Sequence, residues 1–87
     1  MAGFVSYNSF DYRSVDIVPV IASFDTEGHM LPLFVRIKGE SFKIESAWAQ
    51  NCFRNVIEYK CKLIDGDLLK PLALTFYREE GMWTMSL

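Results

Sequence analysis

The sequence is poor in the residues on which metal sites and many enzymes depend. Among 87 residues it has one histidine, His29, and two cysteines, Cys52 and Cys61. A zinc site needs several converging ligands, and a small secreted disulfide scaffold carries more cysteines than two. A site built from these three residues is conceivable, but His29 beside a turn glycine is more typical of an exposed loop residue. We therefore expect no metal site and no cofactor.

The two cysteines are expected to have different surroundings. Cys61 falls on the apolar face of a predicted strand, which indicates a reduced core cysteine. Cys52 should be the more exposed thiol, and Arg54 nearby would favour its reactive thiolate. No elbow or Cys–His motif accompanies either thiol, so we predict no catalytic residue and expect that the protein is not an enzyme. A deep pocket that gathers Cys52 or His29 with carboxylates would argue against this prediction.

An excess of basic charge and long apolar runs are also absent. The net charge is −2 at pH 7, which argues against a dedicated non-specific nucleic-acid binder, although a local basic patch stays open. No apolar run approaches the roughly 18–20 residues of a transmembrane helix. Residues 1–13 do not have the basic and then apolar regions of a signal peptide. We expect a cytoplasmic protein without a membrane partner.

What the sequence does have is a series of short alternating segments. Residues 57–63 alternate apolar and charged side chains, Asp65-Gly66 favours a tight turn, and residues 72–76 return with the same alternation. Four further segments have strand patterns between turn residues: 18–24, 31–38, 41–46 and 82–87. A compact turn is predicted at Gly39-Glu40. This pattern predicts an all-β fold, a small antiparallel barrel or sandwich of five to six strands, SH3-like or OB-like.

The inward positions of these strands predict one core, and Leu31 is also expected to point inward. Its members are Val20, Leu33, Val35, Ile37, Phe42, Ile44, Ile57, Tyr59, Cys61, Leu63, Leu72, Leu74, Phe76, Trp83 and Met85.

Two segments depart from the strand pattern. Residues 46–53 begin with a plausible N-cap serine and continue with helix formers, which favours a short helical turn or an irregular crossover. The preceding strand continuing to Trp48 fits the same residues. Residues 1–16 mix small polar residues with aromatics, and they are either a mobile leader or an arm that folds back on the domain or on a second copy. The single β domain is predicted over residues 17–87.

The outward positions contain one candidate binding surface, with aromatic residues among basic ones. Its members are Phe34, Arg36, Lys38, Lys43, Lys60, Lys62 and Tyr77. Small barrels bind single-stranded nucleic acid on such a surface by stacking and phosphate neutralisation. Alternatively, Glu40, Glu45 and Glu58 pair with the lysines across strands, and the surface is solvated or binds a protein.

Three stretches carry a resemblance to known proteins. Gly39-Glu-Ser-Phe-Lys-Ile, Ile57-Glu-Tyr-Lys-Cys and Trp83-Thr-Met resemble a group of short uncharacterised proteins from Firmicutes bacteria, over roughly residues 20–85. The order of a Gly-Glu hairpin, a polar strand and a terminal Trp strand is similar to small β domains found beside translesion-type polymerase genes. Neither likeness carries functional residues onto this chain. The resemblance implies only a small bacterial, cytosolic β domain.

Two functions are expected on these grounds. The first is a non-enzymatic interaction or accessory module that binds a protein partner, or a second copy of itself, through an edge strand or through residues 1–16. The alternative is a single-stranded nucleic-acid-binding accessory protein that uses the basic and aromatic surface.

Overall fold

In a computed structural model, residues 16–86 are described, and they form seven strands of one antiparallel sheet. The strands are β1 (Asp16–Val18), β2 (Val20–Phe24), β3 (Met30–Ile37), β4 (Glu40–Cys52), β5 (Val56–Asp65), β6 (Leu68–Tyr77) and β7 (Met82–Ser86). Their hydrogen-bonded order is β1-β7-β6-β5-β4-β3-β2. Within residues 16–86 there is no helix long and apolar enough to cross a membrane. Apart from Asp16, the predicted leader lies outside the described residues.

The strands at the two edges of the sheet are consecutive in sequence. β1 pairs with β7 and β2 pairs with β3, and only Pro19 separates β1 from β2. Because one residue joins the two edges, the sheet has to curl, and it forms a half-barrel. The Arg36 N–H donates a hydrogen bond of 3.0 Å to the Pro19 carbonyl, which extends the β2–β3 pairing to the residue that joins the two edges. The predicted all-β antiparallel fold is confirmed, but the strands number seven because Pro19 divides the predicted first strand.

The predicted helical turn near residues 46–53 is wrong, because β4 continues as a strand to Cys52. Its pairing with β5 contains two bulges, at Glu45 and Gln50, neither of which has a partner residue on β5. Each bulge moves the alternation on by one residue. Before the first bulge the inward residues have even numbers, Phe42 and Ile44. After it they have odd numbers, Ala47 and Ala49. The interrupted alternation explains why this segment does not look like a strand in the sequence.

A further bulge places Leu33 outside the predicted core. Ile21 pairs with Phe34 and Ala22 pairs with Pro32, so Leu33 has no partner on β2. Leu33 is 39% exposed and Leu31 is also exposed, whereas Pro32 is buried. The prediction that both leucines point inward is therefore wrong, because the bulge reverses the alternation in the first half of β3.

The core fills the concave side of the sheet and contains the other predicted members. Leu74 at the centre of β6 has 0% of its surface exposed. The ring of Trp83 lies 4.9 Å from that of Phe76 and 5.7 Å from that of Tyr59, measured between centroids. Tilted aromatic pairs at these distances stabilise a core beyond their buried area. Val18, which the sequence pattern did not predict as a core residue, is also buried.

The turn between β3 and β4 is one residue earlier than predicted. It consists of Lys38 and Gly39, with φ angles of 52° and 81°, and Glu40 is already the first residue of β4. Two consecutive positive φ angles are typical of the type I′ hairpin turn, whose twist matches that of the flanking strands. Lysine is a poor residue for this conformation, because its Cβ crowds the backbone.

Candidate functional site

The half-barrel opens between the β2–β3 hairpin and the end of β4 into a cavity of about 500 Å³, called here the mouth cavity. Its walls are mainly apolar. The larger apolar side chains that line it are Phe24, Met30, Leu31, Ile57, Tyr59 and Phe76. Besides the Tyr59 hydroxyl, the polar or ionisable side chains that line it are those of His29, Cys52 and Arg78. An apolar concave surface with few polar groups is typical of a binding site.

The cavity exists because β4 leaves β3 after a short pairing. The β3–β4 pairs end at Phe34 and Lys43, and from Ile44 onward β4 pairs with β5 on its other edge. Among residues 16–86, no strand pairs with the β3-facing edge of residues 45–52. We call this the free edge of β4. The Tyr59 hydroxyl donates a hydrogen bond of 2.6 Å to the Met30 carbonyl and thereby connects β5 to β3 inside the half-barrel.

His29 is held at the rim of the cavity by the β2–β3 turn. The Asp25 carboxylate accepts hydrogen bonds from the His29 and Glu27 backbone N–H groups, at 2.9 and 2.8 Å. These bonds, led by that from His29, lower the pKa of Asp25 below its ordinary value. The His29 ring Nδ1 lies 3.2 Å from the Asp25 Oδ2. His29 is exposed, as the sequence predicted.

The exposed Cys52 contacts a different arginine from the one predicted. The Arg78 Nη2 donates to the Cys52 Sγ at 3.6 Å, while its Nη1 donates to the Arg54 carbonyl at 2.8 Å. Arg54 therefore contributes its backbone, and the guanidinium beside the thiol is that of Arg78. Cys52 and His29 both line the mouth cavity, but within residues 16–86 no hydrogen bond joins the thiol to the imidazole.

Cys61 is a core thiol, as predicted. Burial raises its pKa to about 11, which keeps the thiol protonated and unreactive at neutral pH. In the part of the chain that the structure describes, no three His, Cys, Asp or Glu side chains are grouped closely enough to hold a metal ion.

A second depression, of about 370 Å³, lies on the convex face over β4, β5 and β6, and we call it the outer groove. Trp48, Lys60 and Ala73 form one cross-strand row in it, and Lys62 and Pro71 form the next. Trp48 is 48% exposed. The sequence pattern missed Trp48 as a surface residue because it favoured a helical turn there, and the position of Trp48 opposite Lys60 depends on the bulge at Glu45.

The other five predicted surface residues are spread along the half-barrel. Phe34 and Lys43 form an exposed cross-strand pair between β3 and β4. Arg36 and Lys38 lie at or near the β3–β4 turn, and Tyr77 lies at the far end of β6. The register thus places only Lys60 and Lys62 of the predicted set beside Trp48.

The described glutamates do not neutralise Lys60 and Lys62 in the way that the alternative interpretation of the surface expected. Within residues 16–86, neither Lys60 nor Lys62 has a carboxylate within 4.0 Å, and the lysine that does is Lys70, bound to Asp65 at 2.6 Å. Glu58 instead accepts a hydrogen bond of 2.9 Å from the Asn51 amide across the strands. Within the described part of the chain, the two lysines of the outer groove are therefore not neutralised by an ion pair.

The two depressions differ in chemistry. The mouth cavity is apolar and adjoins the free edge of β4, whereas the outer groove combines an exposed indole with two cations. Comparison of the chain with protein-family models, with curated proteins and with solved structures finds no match.

Proposed function

We propose that this protein is a non-enzymatic interaction module that binds an extended peptide segment along the free edge of β4. The observation that carries the proposal is the edge itself: on the side of residues 45–52 that faces away from β5, the backbone N–H and C=O groups pair with no described strand. Unpaired strand edges are sites at which an extended peptide adds as a further strand. The backbone hydrogen bonds would supply affinity for any extended sequence.

The mouth cavity supports the same proposal, because it supplies a reason for sequence preference. Alternate side chains of an added strand point to the same face of the sheet. Every second side chain of the peptide would therefore face the apolar walls of the cavity. Ala49, which lines the cavity from β4, is small and leaves room for them. We expect apolar residues at alternate positions of the bound segment.

The two bulges limit how long this added strand can be. Glu45 and Gln50 interrupt the regular part of β4, and only residues 46–49 lie between them. Bulges twist an edge away from regular pairing and protect it against open-ended aggregation. The partner is therefore a short extended segment, presented by another protein or by a second copy of this chain.

We also infer that the half-barrel is a small closed barrel of the SH3-like or OB-like kind. In this interpretation β1, Pro19 and β2 are one strand that bends at the proline and pairs with β7 and then with β3. The hydrogen bond from Arg36 N–H to the Pro19 carbonyl supports it. Closure would leave the free edge of β4 as the principal opening in the wall.

Selection of binders from a random peptide library, followed by hydrogen exchange, tests the proposal. Selected peptides should protect the backbone amides of residues 46–49 that point away from β5, because the added strand accepts hydrogen bonds from them. Ala49→Arg should weaken binding at least about tenfold, since it fills the cavity and places a charge among apolar groups. Ala73→Arg is the matched control, because Ala73 is also an exposed strand alanine but lines the outer groove.

Several results would contradict the proposal. These are the recovery of no peptide, equal binding to the Ala49→Arg and Ala73→Arg variants, or protection confined to another strand. Sedimentation velocity on the same variants separates the two kinds of partner. Pairing with a second copy predicts a mass that rises with concentration in the wild type and in Ala73→Arg but not in Ala49→Arg. If the protein is a monomer at every concentration and still binds peptides, the partner of the free edge is a segment of another protein.

A further inference from the structure

The outer groove presents positive charge that no carboxylate among residues 16–86 neutralises. Lys60 and Lys62 are exposed, alternate along β5, and have no carboxylate partner within residues 16–86. Residues two apart on a strand lie about 7 Å from each other on the same face. This separation is comparable to that of consecutive phosphates in an extended single strand. The geometry therefore matches a ligand with repeated negative charge.

An aromatic plane lies directly beside these cations. Trp48 is opposite Lys60 on the neighbouring strand, and the next position in the row is Ala73. The short alanine side chain leaves space beside the indole, and nearly half of the Trp48 surface is exposed. An accessible indole favours a flat ring, and nucleic-acid bases stack on such rings with little dependence on their identity.

We propose that the outer groove binds single-stranded nucleic acid, with one base stacked on Trp48 and the adjacent phosphates at Lys60 and Lys62. An acidic peptide would satisfy the lysines but would make no use of the indole plane, and so the nucleic acid is the better fit. With a net charge of −2 the chain gains little from long-range attraction. Binding is therefore local, weak and sensitive to salt.

The salt dependence follows from the number of lysines. Each phosphate neutralised on a single strand contributes about −0.7 to the slope of log affinity against log salt concentration, so two lysines give about −1.4. Between about 50 and 200 mM salt, affinity should fall about sevenfold. Loss of the stacked base in Trp48→Ala should weaken binding by about 5-fold to 150-fold.

Fluorescence anisotropy with a labelled oligothymidylate of about ten nucleotides tests the proposal on the full chain. The wild type should bind at about 50 mM salt, and the Lys60→Glu/Lys62→Glu variant should not. Lys43→Glu is the matched control: it makes an equal charge change per site on an exposed lysine of β4 that does not line the groove. Tryptophan quenching on binding should be lost in Trp48→Ala, because Trp83 is buried. Ala49→Arg should bind as the wild type does.

Four outcomes would overturn the assignment. They are the absence of binding at about 50 mM salt, an unchanged affinity in Trp48→Ala, a loss of affinity in Lys43→Glu as large as that in Lys60→Glu/Lys62→Glu, and equal affinity for an oligoglutamate of the same length. The last result would assign the groove to an acidic peptide instead.

Discussion

Truncation of Leu74 to alanine tests the arrangement of the core most directly. Leu74 has no exposed surface and lies between Tyr59 on β5 and Met85 on β7. The change removes three carbon atoms, worth about 2.4 kcal/mol at about 0.8 kcal/mol each. The residual cavity adds to this, and Leu→Ala changes at fully buried sites cost about 2.7–5 kcal/mol. We expect the free energy of unfolding to fall by about 3–4 kcal/mol.

This loss is large for a domain of this size. At about 0.05–0.15 kcal/mol per residue, an 87-residue chain has a total stability of about 4–13 kcal/mol. The midpoint of thermal unfolding should fall by roughly 12–30 °C. Urea unfolding followed by far-ultraviolet circular dichroism measures the change and shows whether the variant is folded at all.

Leu33→Ala is the control for the same chemistry at a different position. Leu33 belongs to a bulge and is 39% exposed, so its truncation should cost less than about 1 kcal/mol. A Leu74→Ala variant within about 1 kcal/mol of the wild type, or a Leu33→Ala variant that loses as much as Leu74→Ala, would refute the register of β3 and β6.

Two further predictions concern alkaline stability and the β3–β4 turn. Burial raises the pKa of the Cys61 thiol from 9.0 to about 11, so its contribution to stability is complete below about pH 9 and is lost by about pH 11. The free energy of unfolding of the wild type, measured in urea, should fall by up to about 3 kcal/mol across this range, and that of Cys61→Ala should fall less. An equal fall in the two proteins would contradict the burial of the thiol. Lys38→Asn should stabilise the chain by about 0.5–1 kcal/mol, because asparagine tolerates the positive φ of 52° found there. A lower unfolding midpoint for that variant would count against a type I′ turn.

The strands of the β5–β6 hairpin were predictable because their alternation is unbroken. Residues 57–63 and 72–76 keep one phase from end to end, so Tyr59, Leu63 and Leu74 were assigned inward from the sequence alone and are buried. β3 and β4 were less predictable, because bulges reverse the phase within a strand. A phase reversal leaves no residue type that marks it, and in β4 it gave the segment around Trp48 a helical appearance.

The candidate sites were predictable only in part, for a related reason. The outward position of Lys60 and Lys62 followed from alternation, but their neighbour Trp48 depended on the register beyond a bulge. The mouth cavity draws its walls from three separate parts of the chain, 24–31, 49–59 and 76–78. Only the curl of the sheet brings these parts together, and alternation within one strand contains no information on that curl.

Pro19 joins β1 and β2, which lie at opposite edges of the sheet, and this connection has a consequence for the order of folding. Five of the six strand pairs of the described sheet are hairpins between consecutive strands, and each can form from residues that are close in sequence. The remaining pair, β1 with β7, joins Asp16 to Met85 across almost the whole described chain. Loop-closure entropy opposes such a contact until the intervening hairpins have shortened the path. The sheet should therefore grow as a ladder of hairpins, and the docking of β1 on β7 is the last pairing to form.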